Sequence, residues 1–186
     1  VYCSNGKYGE VCIFNLQSNE KTFTYKFEKD DMYAVLSKDG KRLYVYTNRK
    51  LKVINIPNGS TSIKEIPGNA QCDGVTTADG SDKLLIKTTS DDDDSLYTTY
   101  FIADYDGNNI GKVANGNKIN IYGWGNNILA LTGENFDTIV IDPHSGKQIR
   151  YVVKNDDEDW TDYYDISRDG NIVLASISND GSTVIR

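Results

Sequence analysis

Residues 32–66 decide the fold, and they read MYAVLSKDGKRLYVYTNRKLKVINIPNGSTSIKEI. Apolar or alternating runs at 32–37, 42–47, 51–56 and 62–66 are separated by short turns, two of which contain Asp-Gly or Asn-Gly. These dipeptides are strong hairpin signals because both of their residues can take a positive φ. The stretch therefore predicts an antiparallel unit of four strands joined by tight turns.

The same rhythm recurs along the chain, with glycine turns returning roughly every 40 to 48 residues. Whole repeats can be drawn near 29–68, 69–116 and 117–154, and partial ones at 1–28 and 155–186. This period is typical of the four-stranded blades of a β-propeller. We expect one all-β domain with about four to five blades and very little helix. Because residues 184–186 stop within an apparent strand, we expect a fragment of a larger propeller.

Two short motifs carry a resemblance to known families. Leu43-Tyr-Val-Tyr-Thr-Asn48 resembles the strand signature of YVTN-type propellers. Ile166-Ser-Arg-Asp-Gly170 is similar to the turn that these proteins share with WD-repeat-like proteins. The resemblance implies an interaction scaffold, although some proteins of this architecture are enzymes.

Composition and charge fit this fold and exclude some functions. Thirteen tyrosines stand against a single methionine, and tyrosine favours the half-buried surface of a strand. The formal net charge is −7, and no cluster of Lys and Arg suggests nucleic-acid binding. No apolar run approaches the ~20 residues of a membrane span, and no N-terminal signal pattern is present.

A candidate binding surface follows from the propeller reading. In that fold, the loops between second and third strands and those between blades share one face. Acidic residues concentrate in these loops, beside one tryptophan, and the candidates are Asp30, Asp31, Asp91, Asp92, Asp93, Asp94, Asp156, Asp157, Glu158, Asp159 and Trp160. Such a face would steer a protein partner with a basic surface, and Trp160 could anchor it. The alternatives are solvated loops that keep the protein soluble and a tryptophan packed between blades.

The sequence predicts neither catalysis nor a cofactor. His144 is the only histidine, it lies in a turn, and no G-x-S-x-G motif accompanies it. The aspartates at 91–94 lack the alternating ligand pattern of a calcium loop. The segment at 104–108 comes closer to that pattern, but it lies where each repeat needs a hairpin turn, so we expect turns at both places. Two alternatives to a non-catalytic scaffold remain: part of a metal-dependent hydrolase or lactonase, and a sensor segment of a larger signalling or cell-surface protein.

Cysteine usage bears on the cellular compartment. Cys3 and Cys12 are symmetric about residues 7 and 8, so a hairpin there would set them opposite one another. A disulfide between them would indicate an oxidising, extracellular setting. Two buried or half-buried thiols are the alternative, and they favour the cytoplasm.

Overall fold

The computed structural model describes residues 2–3, 9–47, 49–68, 70–77, 82–92, 95–117, 120–125, 128–132, 138–142, 148–151, 160–166, 173–179 and 182–185. Side chains are described for 9–47, 49–68, 70–77, 82–90, 97–116 and 142. All regular structure in these ranges is β-strand. They include no helix of the length and apolarity needed to cross a membrane.

The strands form antiparallel sheets that follow one another along the chain. The first sheet has the order β1 (Tyr2–Cys3), β2 (Glu10–Asn15) and β3 (Glu20–Lys26). The second has the order β4 (Tyr33–Leu36), β5 (Arg42–Tyr46), β6 (Lys50–Asn55) and β7 (Thr61–Glu65). The third has the order β8 (Gln71–Thr77), β9 (Lys83–Asp92), β10 (Ser95–Asp104) and β11 (Gly111–Asn117).

Two further sheets continue this order. The fourth contains β12 (Asn120–Gly125), β13 (Ile128–Thr132), β14 (Thr138–Ile141) and β15 (Gln148–Tyr151). The fifth contains β16 (Trp160–Ile166), β17 (Val173–Asn179) and β18 (Ser182–Ile185). Every paired strand is antiparallel to its neighbour and next to it in sequence, which confirms the all-β prediction and its four-stranded unit. The predicted blade boundaries stay a prediction.

The core lies between sheets, because successive residues of a strand point to opposite faces. On β5, Leu43 and Val45 join an apolar cluster with Phe23 and Tyr25 of the first sheet. The intervening Tyr44 and the adjacent Tyr46 join a separate cluster that includes residues of the third sheet, namely Cys72, Val75, Leu84, Ile86, Phe101 and Ala103. The second sheet is therefore covered on both faces, which explains the nearly continuous apolar run in β5.

The turn after β10 closes the junction between the second and third sheets at one end. The Asp104 carboxylate accepts hydrogen bonds from the backbone N–H groups of Asp106 and Asn108, at 3.0 and 2.8 Å. Arg42 Nε donates to Asp106 Oδ1 at 2.9 Å, and its guanidinium lies 5.6 Å from the Tyr105 ring centroid. Residues 104–108 thus form a turn, as predicted, that joins two sheets.

Two predictions about local register need correction. Cys3 pairs with Glu10, and Tyr2 with Val11, so the hairpin is not symmetric about residues 7 and 8 and does not set Cys3 opposite Cys12. Asp91 and Asp92, predicted to lie in a loop, end strand β9 and pair with Leu96 and Ser95. The pairing of β9 with β10 continues past the apolar residues of β9, because backbone hydrogen bonds between the strands do not require buried side chains.

Candidate functional site

An open cleft lies at the end of the first and second sheets where two loops meet. One loop is the connector between β3 and β4, and the other is the turn between β5 and β6. The end of the sheets that carries them is called the connector face below. The cleft has a volume of about 610 Å³ and is lined by Glu28, Lys29, Asp30, Asp31, Met32, Thr47, Arg49, Lys50, Lys52 and Ile63.

Backbone hydrogen bonds fix both loops to the second sheet. Met32 N–H donates to the Tyr46 carbonyl at 2.9 Å, and Ile66 N–H donates to the Arg49 carbonyl at 2.9 Å. Thr47 and Lys50 close the turn, with Thr47 N–H donating to the Lys50 carbonyl at 2.9 Å. Met32 on one wall of the cleft, and Thr47, Arg49 and Lys50 on the other, are therefore held by backbone hydrogen bonds of the second sheet.

A buried ion pair forms the floor of the cleft. Lys52 Nζ lies 2.6 Å from Asp31 Oδ1, and the two side chains are 10% and 0% exposed. Lys52 Nζ also lies 2.7 Å from Glu28 Oε2. Lys52 shares a face of β6 with Ile54, which packs against the first sheet, so strand alternation directs the lysine into the junction.

Hydrogen bonds satisfy the other oxygen of Asp31. The Tyr25 hydroxyl donates to Asp31 Oδ2 at 2.6 Å, and the Glu28 backbone N–H donates to the same atom at 2.9 Å. A buried carboxylate is stable when a counter-ion and hydrogen-bond donors surround it. Asp31 thus ties β3, the connector and β6 together.

The protonation states of this cluster follow from its contacts. Burial raises the pKa of Asp31, but the hydrogen bonds from Lys52, Tyr25 and Glu28 outweigh it and lower that pKa below its ordinary value. Burial lowers the pKa of Lys52, but hydrogen bonds with Asp31 and Glu28 reverse this and raise it. Burial and the Asp31 carboxylate together raise the pKa of Tyr25 to about 12. Lys52 therefore stays charged and Tyr25 stays protonated at neutral pH, which suits a structural cluster better than proton transfer.

The rim of the cleft carries the groups that a ligand can reach. Asp30 and Lys29 are exposed. Arg49 Nη2 donates to the Gly68 carbonyl at 3.0 Å, and Lys50 Nζ lies 3.6 Å from Glu65 Oε1, with both side chains more than half exposed. Exposed ion pairs of this kind rearrange at little cost. The rim therefore offers charges of both signs rather than a uniformly acidic surface.

The predicted site residues do not all lie on this surface. Asp30 is exposed at the rim, where its role as a contact residue stays a prediction, whereas the side chain of Asp31 is wholly buried. Asp31 is therefore corrected from a contact residue to a residue that holds the connector, because its carboxylate pairs with Lys52. Lys52 and Tyr25 were not among the predicted site residues, although a lysine within the apolar run Leu51-Lys-Val-Ile54 was a signal that a buried partner was needed.

The other candidates are described only in part. Asp91 and Asp92 are in β9, and Trp160 begins β16 and pairs with Ser178; the side chains of these three residues lie outside those described. Asp93, Asp94, Asp156, Asp157, Glu158 and Asp159 lie outside the described residues, as does His144. Within the described part of the chain, no three His, Cys, Asp or Glu side chains converge as a metal site would require.

Comparison with known proteins shows similarity of structure but not of sequence. No protein-family model matches the chain, and no curated protein sequence matches it. A putative TolB from Agrobacterium tumefaciens is 19% identical, with a TM-score of 0.51 over 97% of this chain and 66% of that one. The β-propeller domain of the Trilobed protease from Pyrococcus furiosus is 15% identical, with a TM-score of 0.58 over 98% of this chain and 64% of that one.

A third solved structure gives the same picture. The WD40 domain of SCAP from fission yeast is 10% identical, with a TM-score of 0.50 over 95% of this chain and 47% of that one. The chain thus spans about two thirds or less of the length of these structures. At such low identity the likeness concerns the fold alone. Together with the successive four-stranded antiparallel sheets, it shows that the chain has a β-propeller fold and comprises several of its blades.

Proposed function

We propose that this chain is a non-catalytic propeller scaffold that binds a protein partner through its connector face. The observation that carries the proposal is that the floor of the cleft is buried and fixed, whereas its rim is exposed. Its floor is fixed by the buried Asp31–Lys52 pair, while its rim leaves Asp30 and Lys29 exposed. A rigid floor below exposed charges is a preorganised binding surface, which loses little conformational entropy when a partner docks.

Charge indicates the kind of partner. The chain has a net charge of −7, and the acidic residues predicted for this face at 91–94 and 156–159 would add to Asp30. A partner with a basic surface is then attracted during encounter, and the association weakens as salt screens the charges. Lys29, Arg49 and Lys50 at the same rim favour a partner segment that also carries an acidic group.

The test compares charge reversal on two faces of the protein. Asp30→Lys changes the rim, and Glu20→Lys makes the same charge change on exposed β3 beside the opposite turn. A third variant reverses Asp156, Asp157, Glu158 and Asp159. Each protein is immobilised, and the proteins that it retains from a cell extract are quantified by mass spectrometry at about 50 and 300 mM salt, chosen to span strong and weak screening.

The proposal predicts a set of proteins retained by the wild type and by Glu20→Lys but reduced with Asp30→Lys and with the third variant. Retention of that set must also fall at the higher salt concentration. Equal retention by all four proteins, independent of salt, would contradict the proposal.

A further inference from the structure

An exposed apolar side chain lies on one wall of the cleft at the connector face. Ile63 of β7 pairs with Lys52 of β6, so both side chains lie on the face of the second sheet that is turned toward the first. The Lys52 side chain is 10% exposed, whereas Ile63 is 58% exposed. Met32, which is half-buried, lines the same cleft. The cleft therefore offers apolar surface that an occupant would remove from water.

The ammonium group of Lys52 is fully engaged at the floor of the cleft. It lies 2.6 Å from Asp31 Oδ1 and 2.7 Å from Glu28 Oε2, and it donates to the Tyr25 hydroxyl oxygen at 3.4 Å. An ammonium group has three N–H donors, so Lys52 retains none for an anion that enters the cleft. Because the floor holds two carboxylates against one ammonium group, it carries a net negative charge.

Two carboxylates on the connector wall keep acceptor capacity. The Glu28 side chain is 73% exposed and uses Oε2 for Lys52; among the residues that the structure describes, nothing donates to its Oε1. The carboxylate of Asp30 is exposed, and in the same described part of the chain it has no hydrogen bond or ion pair. Both residues belong to one turn, in which the Asp31 N–H donates to the Glu28 carbonyl at 3.2 Å. A donor that enters the cleft therefore finds available carboxylate oxygens.

The cations on the opposite wall of the cleft are engaged by other groups. Arg49 Nη2 donates to the Gly68 carbonyl at 3.0 Å, and Lys50 Nζ lies 3.6 Å from Glu65 Oε1. An acidic occupant would compete with these contacts and would face the two carboxylates of the connector wall. Lys29 is exposed and acts against a cationic occupant, but the net charge of −7 on the whole chain favours one. The cleft therefore suits a cation better than an anion.

We propose, on the basis of the function proposed above, that the cleft receives an arginine side chain of the protein partner. Its guanidinium lies against the carboxylates of Glu28 and Asp30, and its aliphatic stem lies along Met32 and Ile63. Arginine meets both requirements, because its stem covers apolar surface while its head stays among polar groups. The planar guanidinium also matches carboxylates with several N–H donors and loses less hydration than an ammonium group does.

The sequence supplies a selective probe of the cleft. Met32 is the single methionine of the chain, so labelling methionine methyl groups with carbon-13 gives one nuclear magnetic resonance signal, and that signal reports on the cleft. The whole chain is titrated with the capped tripeptide N-acetyl-glycyl-arginyl-glycinamide. Matched peptides carry lysine, glutamate or citrulline in place of the arginine, and citrulline has nearly the same shape as arginine but no charge.

We expect the arginine peptide to shift the Met32 signal saturably, and the citrulline peptide to bind about tenfold more weakly or less. Asp30→Asn should weaken binding of the arginine peptide by about two- to fivefold, as for an exposed ion pair. Ile63→Ser should weaken it by a similar factor, roughly, because the stem loses apolar contact. Lys29→Ala should strengthen it, and Glu20→Gln, on exposed β3 outside the cleft, should leave it unchanged.

Circular dichroism establishes that the variants are folded, and the comparison of peptides on the wild type needs no variant. Absence of a saturable shift with the arginine peptide overturns the proposal. So does equal binding of the citrulline peptide, tighter binding of the glutamate peptide, or unchanged binding of the arginine peptide by folded Ile63→Ser. If extract proteins are still retained in a way that depends on Asp30 and on salt, the proposed function stands and only the arginine anchor is lost. If the arginine peptide binds but no such proteins are retained, the proposed function fails instead.

Discussion

Lys52 Nζ lies 2.6 Å from Asp31 Oδ1 across the junction between the first two sheets, and the Asp31 side chain has no solvent exposure. A charge buried in this way is stable only with its partner, because removal of either member leaves the other desolvated and unpaired. The pair is therefore the feature that most firmly determines the position of the connector.

Removal of the lysine should destabilise the protein strongly. Lys52→Met keeps the length of the side chain but leaves the Asp31 carboxylate without its counter-ion, so we expect a loss of about 3 to 5 kcal/mol in the free energy of unfolding. Lys50→Met removes an exposed pair with Glu65 and should cost less than about 1 kcal/mol. Urea denaturation of the two variants checks this, and equal losses would show that the Asp31–Lys52 pair is not buried.

Asp31 should also make stability depend on pH in the acid range. Its pKa is lowered in the folded protein, so its ionised form stabilises the fold above its ordinary pKa of about 4. That contribution is lost as the pH falls through the lower folded value. Asp39 and Asp73 are shifted in the same direction, so Asp31→Asn is needed to isolate the effect.

The difference in unfolding free energy between the wild type and Asp31→Asn should be largest near neutral pH. It should shrink below about pH 4. A difference that is constant from neutral to acid pH would mean that Asp31 has the same pKa in the folded and unfolded chains.

Gly107 should tolerate no side chain, for two reasons. Its φ is +72°, and a Cβ atom there would lie 3.0 Å from Val53 Cγ2 and 3.1 Å from Lys64 Cγ in the neighbouring sheet. Gly59 has a similar φ of +70° but open space around it. Gly59→Ala should therefore cost about 1 to 2 kcal/mol of left-handed strain, and Gly107→Ala a further 1 to 3 kcal/mol, roughly, from overpacking. Thermal unfolding of the two variants measures the difference, and equal costs would mean that the turn does not contact the second sheet.

The Cys72 thiol should be unreactive in the folded protein. It is buried between the second and third sheets, and burial raises its pKa to about 12. Only the thiolate reacts. Modification of Cys72 by a maleimide at about pH 8 should therefore require that the second and third sheets first separate locally. Peptide mapping by mass spectrometry separates Cys72 from Cys3 and Cys12. Labelling of Cys72 in the native protein as fast as in urea would contradict its position between the sheets.

The sequence predicted the fold better than the site, for a physical reason. Hairpins depend on local signals such as Asp39-Gly40 and on strand alternation, both of which can be read along the chain. Whether an aspartate is exposed depends on what lies across the junction. Asp30 and Asp31 are adjacent and chemically identical, yet only Asp31 meets Lys52, which is 21 residues away in sequence (52 minus 31).

The register of paired strands was also hard to predict from the sequence. The symmetry of Cys3 and Cys12 about residues 7 and 8 is visible in the sequence, but the pairing of Cys3 with Glu10 depends on backbone hydrogen bonds that leave no trace in composition. The acidic stretches at 91–94 and 156–159 stay predictions for the binding face.

Our central claim is that the two faces of strand β5 pack against different sheets. Leu43 faces the first sheet, and Tyr44 faces the third. Nuclear Overhauser effects in methyl- and aromatic-labelled protein test it directly. We expect contacts from the Leu43 and Val45 methyl groups to the rings of Phe23 and Tyr25, and from the Tyr44 ring to that of Tyr105, whose centroid lies 6.4 Å away. If Leu43 and Tyr44 instead contact the same sheet, or if either faces solvent, the described fold is contradicted. The proposed function of the connector face then has no structural basis.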